Sequence, residues 1–365
     1  MPSSISSSEE DPTTMLFELA RPLPTRPLLA SMLLGILVFL GSMTAWEVYW
    51  RSEGAEPSFR NSFGLWAIQR RRINQGEGDH VVIVGSSRIL FNTQLPVWEE
   101  KSGESPIQLA LEGTSPLSFM EDLAEDPDFT GTLLVGVAPG LYFSGFEYRA
   151  GALEHFRNES PSQWLGQQIS MLIEPLFAWY EPDFALFTIL QRQSWPKREG
   201  VVDMLDVRKL SNQDRNRSTR MWSRLETDPE YAELAKLIWA QRFRPIDELS
   251  DDERQEGIEN TQKQIDRTVD AVGKLQAKGV EVIFIRNPSE GFYAMEEPMY
   301  TPRSETWDVI IEKTGSLGIH WEDHPELQGY WLPESSHIAG SQADDYTAAL
   351  YDVIQRERAK HQRPE

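Results

Sequence analysis

The feature that most constrains this chain is an uninterrupted apolar segment near its start. The residues from Leu28 to Trp46 include no charged side chain. At about 1.5 Å of rise per helical residue they span ~28 Å, close to the ~30 Å hydrocarbon core of a bilayer. Trp46, Tyr49 and Trp50 then follow, as aromatic residues do at a membrane interface. The pattern predicts a membrane-spanning helix over residues 28–48.

A cleaved signal peptide and a buried core helix are the alternatives for this segment. The segment is long for a signal-peptide core, begins late in the chain and lacks a small-residue cleavage pattern before Trp46. The absence of charge along its whole length disfavours a core helix. Arg21 and Arg26 flank one side while Arg51 and Arg60 flank the other, so the basic residues do not set the orientation. We expect the usual arrangement of an uncleaved N-terminal anchor, with the large C-terminal domain extracytoplasmic.

The remaining chain divides into three predicted parts. Residues 1–27 are rich in Ser, Thr, Pro and acidic residues and are predicted to be a disordered tail. Residues 49–78 are predicted to be a juxtamembrane linker, whose Arg70, Arg71 and Arg72 face solvent or lipid headgroups. Residues 79–360 are predicted to form one folded domain.

Strand-like and helix-like patterns alternate through residues 79–360. Four short β-branched runs are predicted strands, namely Val81–Val84, Ile107–Leu111, Leu133–Val137 and Val280–Ile285. Helical spacing follows Pro116, with Leu117, Met120 and Leu123 on one face, and recurs after residue 342, with Ala343, Tyr346, Leu350, Val353 and Ile354 on one face. This alternation predicts an α/β domain with a mostly parallel sheet.

About 120 residues between the third and fourth predicted strands contain no convincing strand. We therefore predict a helical insertion over about residues 141–260. The stretch from Trp164 to Leu190 within it is dense in aromatic and aliphatic residues. It is either a helical subdomain packed on the core, or a lid or a surface for a membrane or a partner.

Composition excludes several classes of function. The formal net charge of −22, from 57 acidic and 35 basic residues, argues against binding to nucleic acid. The chain has no cysteine, which excludes thiolate nucleophiles, disulfides and cysteine-based zinc sites. His320, Asp323 and His324 could ligate a metal, but a surface turn before Pro325 explains them equally well, so no metal is predicted.

Two motifs could carry chemistry. Gly85, Ser86, Ser87 and Arg88 follow the first predicted strand, at the edge where an open α/β sheet exposes its ligand crevice. The Ser87 amide could also donate to a developing oxyanion. Near the C-terminus lie Glu334 and His337, three residues apart. A serine hydroxyl needs a base to take its proton, and the base needs a carboxylate to fix its tautomer.

These motifs, with Gly113 after the second predicted strand, resemble the SGNH/GDSL hydrolases over residues 79–140 and 262–358. The resemblance implies a flavodoxin-like sheet, with Ser87 as nucleophile, His337 as base and Glu334 as its orienting carboxylate. It also implies that the Ser87 and Gly113 amides form the oxyanion hole beside Ser86. For Arg88 it leaves two roles open, a brace paired with an acid or a substrate contact.

The chain departs from the family pattern at three points. Ser86 and Glu334 each stand where the family has Asp, and the segment Val137–Gly140 lacks the Asn of the third block. The anchor, the Gly-Ser-Ser-Arg block and the missing Asn together resemble more closely the membrane-anchored SGNH-like proteins of cell-surface polysaccharide acylation.

This closer resemblance implies a serine esterase or O-acyltransferase in the cell envelope. Its substrate would be an acylated, most simply acetylated, glycan or another ester, it would need no cofactor, and its partner would be a multi-span membrane acyltransferase. The alternative is a catalytically degenerate protein that binds a polymer or such a partner.

Overall fold

The computed structural model describes residues 28–193, 195–196, 200, 204–241 and 243–361. The predicted disordered tail, residues 1–27, lies outside the described residues. The chain divides into two units between Ser52 and Glu53. The first unit is an apolar helix, and the second contains the sheet and the candidate site.

The described part of the first unit is helix α1, Leu28–Ser52. None of its residues is buried, and its length and hydropathy are sufficient to cross a membrane. The predicted apolar helix is therefore present, and it continues four residues beyond the predicted end at residue 48.

Seven strands occur among the described residues of the second unit: β1 Val81–Val84, β2 Ile107–Gln108, β3 Thr132–Gly136, β4 Ser211–Gln213, β5 Thr219–Met221, β6 Glu281–Arg286 and β7 Leu317–His320. Five of them form one sheet in the order β2-β1-β3-β6-β7, and every neighbouring pair is parallel. The predicted α/β class with a mostly parallel sheet is confirmed. The four predicted strands all occur within it, and β7 was not predicted.

Fourteen further α-helices are described: α2 Phe63–Arg72, α3 Ser87–Asn92, α4 Leu95–Ser102, α5 Leu117–Glu125, α6 Pro139–Tyr142, α7 Gly151–Asn158, α8 Pro161–Ile173, α9 Leu186–Gln191, α10 Arg224–Thr227, α11 Pro229–Ala240, α12 Asp251–Ala277, α13 Gly291–Tyr300, α14 Trp307–Thr314 and α15 Ala343–His361.

Both faces of the sheet are covered, so alternate strand residues enter two separate clusters. Val82 and Val84 of β1 belong to a cluster with residues of α2, α5 and α12, whereas Ile83 belongs to a cluster with residues of α3, α4 and α15. Strands buried on both faces are hydrophobic throughout rather than alternating, which explains the continuous Val-Val-Ile-Val run of β1. The apolar faces predicted for α5 and α15 are buried in these clusters.

The prediction of a linker over residues 49–78 is wrong for the second half of that range. Helix α2 lies there, and its Leu65 and Trp66 are fully buried. Arg70, which was expected to face solvent or headgroups, is buried and pairs with Asp122 and Asp126 at 2.8 and 2.6 Å. The basic run does not indicate a solvated segment because acids more than 50 residues away neutralise its first arginine.

The insertion is mainly helical, as predicted, but it also contains a strand pair. Strands β4 and β5 form a two-stranded antiparallel sheet of their own. Their three-residue lengths and polar sequences give no detectable alternation. The turn between them places Arg217 at a positive φ of 68°, and its guanidinium donates to the carbonyls of Gln108 and Ala110 beside the main sheet.

Candidate active site

The turn after β1 positions Ser87 at the carboxyl edge of the sheet. Gly85 has a φ of 151°, and a Cβ there would lie 2.5 Å from Ile89 Cγ2 and 3.0 Å from the backbone of Gly136. Only glycine fits at this position, where the backbone lies so close to Ile89 and Gly136. Ser86 is buried and forms the N-cap of α3, and the partly exposed Ser87 is the first residue of that helix. The first amides of a helix have no intrahelical acceptor, so the Ser87 amide can donate to a ligand.

Glu334 and His337 form a buried pair. His337 Nδ1 lies 2.7 Å from Glu334 Oε1, and the His337 amide donates to the same oxygen at 2.7 Å. The second carboxylate oxygen accepts a hydrogen bond of 2.6 Å from Trp239 Nε1. Because an ionised carboxylate only accepts hydrogen bonds, Nδ1 must carry a proton.

The protonation state of Glu334 follows from these contacts. Burial alone would raise the pKa of its carboxyl group. The charge of His337 and the hydrogen bonds from His337 and Trp239 outweigh burial and hold that pKa below its usual range. Glu334 is therefore an anion, and in a neutral imidazole its contact with Nδ1 fixes the tautomer that has its lone pair on Nε2.

His337 Nε2 is the atom available to act as a base. It is buried and has no hydrogen-bond partner among the described residues. The ring of Phe91 lies against the imidazole, with centroids 4.4 Å apart. Phe91 is four residues after Ser87 on α3, so the two lie on the same face of that helix. Ser87 and His337 line the same cavity, which encloses about 1780 Å³.

No hydrogen bond joins the Ser87 hydroxyl to Nε2. Catalytic hydrogen bonds of free enzymes are often open and form when substrate is bound. The structure thus brings Ser87 and His337 to one cavity and leaves His337 Nε2 without a hydrogen-bond partner among the described residues.

Gly113 and Ser86 also line this cavity. Gly113 lies in the turn after β2, has a φ of 64° and is partly exposed. The segment that follows β3 lines the cavity through Ala138 and Gly140, and neither residue has a side-chain hydrogen-bond donor. Backbone amides are therefore the donors that this part of the cavity provides.

Arg88 joins the turn after β1 to an acidic residue. Its Nε donates to Ser336 Oγ at 3.1 Å, and its Nη2 pairs with Glu297 Oε1 at 2.7 Å. The guanidinium carbon lies 4.7 Å from the centre of the Tyr293 ring. Since Ser336 precedes His337, Arg88 connects α3 to the loop that carries His337. It also lines the cavity, and its Nη1 is buried without a hydrogen-bond partner among the described residues.

Glu297 is the centre of a buried ion cluster behind Arg88. Its carboxylate pairs with Arg286 as well as Arg88 and accepts a hydrogen bond from Ser289. Burial would raise the pKa of Glu297, but the two arginines hold that pKa below its usual range. A carboxylate held between two guanidinium groups is a rigid support, and it keeps α13 attached to the turn after β1.

The three residues considered as metal ligands, His320, Asp323 and His324, do not form a metal-binding group. Among the described residues there is no cluster of three or more His, Cys, Asp or Glu placed to hold an ion. Asp323 pairs with Arg303 at 2.6 Å, and His320 Nδ1 lies 3.3 Å from the Glu322 amide.

Trp239, Glu297 and Tyr293 contribute to the site but were not predicted from sequence. Trp239 comes from the insertion and meets Glu334 across 95 residues of chain, and Glu297 meets Arg88 from α13. Tyr293 lies in the segment after β6, whose position at the same sheet edge was the one sequence signal that could have indicated it.

No protein-family model matches this chain, and no curated protein matches it significantly in sequence.

Proposed function

We propose that this chain is a membrane-anchored SGNH-like serine esterase or O-acyltransferase that acts on an acylated cell-surface glycan. The observation that carries the proposal is the Glu334–His337 pair. His337 lines the same cavity as Ser87, and its Nε2 has no hydrogen-bond partner among the described residues. The strand order supports it as well. Numbered within the five-stranded sheet, the order is 2-1-3-4-5, the flavodoxin-like order, and ligands bind at its switch point beside the first strand. Ser87 lies there.

The acylation step uses three residues. Ser87 Oγ attacks the acyl carbonyl of the ester while His337 Nε2 takes the hydroxyl proton, and Glu334 stabilises the imidazolium that forms. The amides of Ser87 and Gly113 donate to the oxyanion of the tetrahedral intermediate. As the intermediate collapses, the bond to the leaving alcohol breaks, and the imidazolium gives its proton to that alcohol. The acyl group remains on Ser87.

The second step returns the enzyme to its resting state. His337 removes a proton from water or from a sugar hydroxyl, whose oxygen attacks the acyl carbon, and Ser87 Oγ leaves and regains a proton from the imidazolium. Water gives an esterase and a sugar hydroxyl gives a transferase. The two reactions differ only in whether the sugar that accepts the acyl group excludes water from the cavity.

The glycan substrate, the extracytoplasmic location and the multi-span acyltransferase partner form the finer part of the proposal. They are supported by the motif resemblance and by α1, which is long and apolar enough to span a membrane. Tags at the two termini and protease treatment of intact cells test the location. Cleavage of the C-terminal domain only after lysis would contradict it.

Active-site labelling tests the chemistry. The full-length chain in mild detergent is treated with a fluorophosphonate and assayed for p-nitrophenyl acetate hydrolysis, beside S87A and H337A. Matched controls are S144A, a serine of the same cavity, and H361A, an exposed histidine of α15. We expect both activities to be lost in S87A and H337A and kept in the controls.

A folded wild-type chain that neither labels nor hydrolyses the ester would contradict the enzymatic proposal. One observation favours the second candidate, a catalytically degenerate binding protein, in that case. The edge of β3 at Ala138–Gly140 supplies no side-chain donor, and loss of one oxyanion donor lowers kcat by about 10²–10³ in other enzymes. Co-purification of a partner or a polymer with the full chain would then support it.

A further inference from the structure

Two helices of the insertion are exposed to solvent yet carry no charge. They are α8, Pro161–Ile173, and α9, Leu186–Gln191, and neither contains Asp, Glu, Lys or Arg. A quarter of the whole chain is charged. Helices that face water in a soluble domain normally carry charged residues on their outer face, so these two are adapted to a different surrounding.

The outer faces of these helices are apolar. Trp164, Leu165, Ile169 and Leu172 on α8, together with Leu186 and Phe187 on α9, are between 49% and 71% exposed, and we call these six residues the exposed apolar surface. At about 100° per residue the four on α8 lie within an arc of roughly 140°, so they form one face of the helix. Large apolar surfaces of this kind mark contacts with a membrane or another protein.

The opposite side of α8 holds the stretch of chain that leaves α1. Ser62 Oγ donates to Gln167 Oε1 at 2.7 Å, and the Arg60 amide donates to Glu174 Oε2 at 3.2 Å just beyond the end of α8. Only nine residues separate Ser62 from Ser52, the last residue of α1. The ten Cα-to-Cα steps from Ser52 to Ser62 span at most about 36 Å even when fully extended. With α1 in the membrane, as proposed above, the bilayer is the apolar medium nearest to α8 along the chain.

We propose that the exposed apolar surface inserts into the interfacial layer of the membrane that α1 enters. Because α8 and α9 carry no basic residue, insertion depends on burial of apolar side chains rather than on attraction to anionic headgroups. A net charge of −22 on the chain also disfavours an electrostatic contact with anionic lipid. Zwitterionic lipid is sufficient.

The cysteine-free sequence allows a direct test by single-site labelling. The variants L172C and F187C place an NBD fluorophore on the surface, and E256C places it on an exposed polar position of α12. Each full-length variant is reconstituted in phosphatidylcholine vesicles, with and without doxyl-labelled phosphatidylcholine. We expect a blue-shifted emission and strong quenching by the doxyl lipid for L172C and F187C, and neither for E256C.

Two other outcomes would overturn the proposal. If L172C and F187C emit like E256C and are not quenched, the surface remains in water. If they are blue-shifted but unquenched by doxyl lipid, the surface is covered by protein, either a partner or a second copy. Replacing part of the phosphatidylcholine with phosphatidylglycerol should leave the quenching unchanged. This test is independent of activity, so it stands whether or not Ser87 is catalytic.

Discussion

The hydrogen bond from Trp239 to Glu334 offers the sharpest test of the candidate site. In W239F the ring remains apolar but Nε1–H is lost, so Glu334 Oε2 loses its 2.6 Å donor. Glu334 is fully buried, and no other described residue donates to Oε2. Hydrogen bonds to charged groups contribute about 1.5–3 kcal/mol. We expect W239F to lose about 2 kcal/mol of stability at pH 7, which lowers the Tm by roughly 4 °C for a domain of this size.

The pH dependence of this loss has a definite sign. The pKa of Glu334 is lowered in the folded state relative to its ordinary value of 4.5, partly by the Trp239 hydrogen bond. A lowered folded pKa gives stability that is present above pH 4.5 and is lost as the pH falls through the folded pKa. W239F removes one cause of the lowering. The Tm difference between wild type and W239F should therefore be full at pH 7 and shrink below pH 4.5.

The same change should reduce catalysis. In the proposed mechanism Glu334 stabilises the imidazolium that forms on His337, and a less firmly held carboxylate does this less well. A loss of about 1.4 kcal/mol in the transition state corresponds to a tenfold fall in kcat/KM for p-nitrophenyl acetate. W331F is the matched control, because Trp331 is 45% exposed. A Tm difference that does not shrink as the pH is lowered below 4.5 through the folded pKa, or identical behaviour of W239F and W331F, would refute the reasoning.

Two further predictions concern the frame that holds the site. G85A should lower the free energy of unfolding by at least ~3 kcal/mol, because a Cβ at this positive φ meets the backbone of Gly136 at 3.0 Å. G103A is the control: Gly103 also has a positive φ, but no atom of the described residues lies near the place that its Cβ would occupy, so the free energy of unfolding should fall by only about 1 kcal/mol. Equal losses would contradict this. A chain shortened to begin at residue 76 should fail to fold, since it lacks the buried Leu65 and Trp66, whereas one beginning at residue 53 should retain its circular dichroism and cooperative melting.

The sheet could be predicted because its strands are buried on both faces. The runs at Val81–Val84 and Glu281–Arg286 are mostly β-branched or aromatic, so the pattern is visible locally. The second predicted strand, Ile107–Leu111, is longer than the assigned Ile107–Gln108, yet the Leu109 and Leu111 amides continue to donate to the carbonyls of β1 and the following glycine. Strand β7, Leu317–His320, was not predicted because glycine and histidine occupy two of its four positions.

The linker prediction failed for a reason that sequence cannot reveal. Three consecutive arginines usually indicate a solvated segment. Arg70 is instead neutralised by Asp122 and Asp126, at the end of α5 and just beyond it, and its neighbour on the helix, Trp66, packs into the core. Pairing over more than 50 residues leaves no local signal.

The site divides in the same way between local and distant contacts. Glu334 and His337 are three residues apart, so their pairing is a local property of one loop and could be predicted. Trp239 and Glu297 reach the site from other elements, and only the fold brings them there. Sequence reasoning therefore identified the residues proposed to react and missed those that hold them.

The origin of Trp239 shows that the insertion contributes to the candidate site. The motif resemblance covers the sheet and leaves the insertion unexplained, yet α11 of that insertion supplies the hydrogen bond to the second carboxylate oxygen of Glu334. Helix α11 is itself fixed, because its Ala235 packs against Met221 of β5 and Tyr231 donates to the Lys209 carbonyl. The insertion that exposes apolar residues on α8 and α9 thus also holds the carboxylate that is proposed to orient His337. A substitution that detaches α11 should weaken ester hydrolysis although no residue of the sheet has changed.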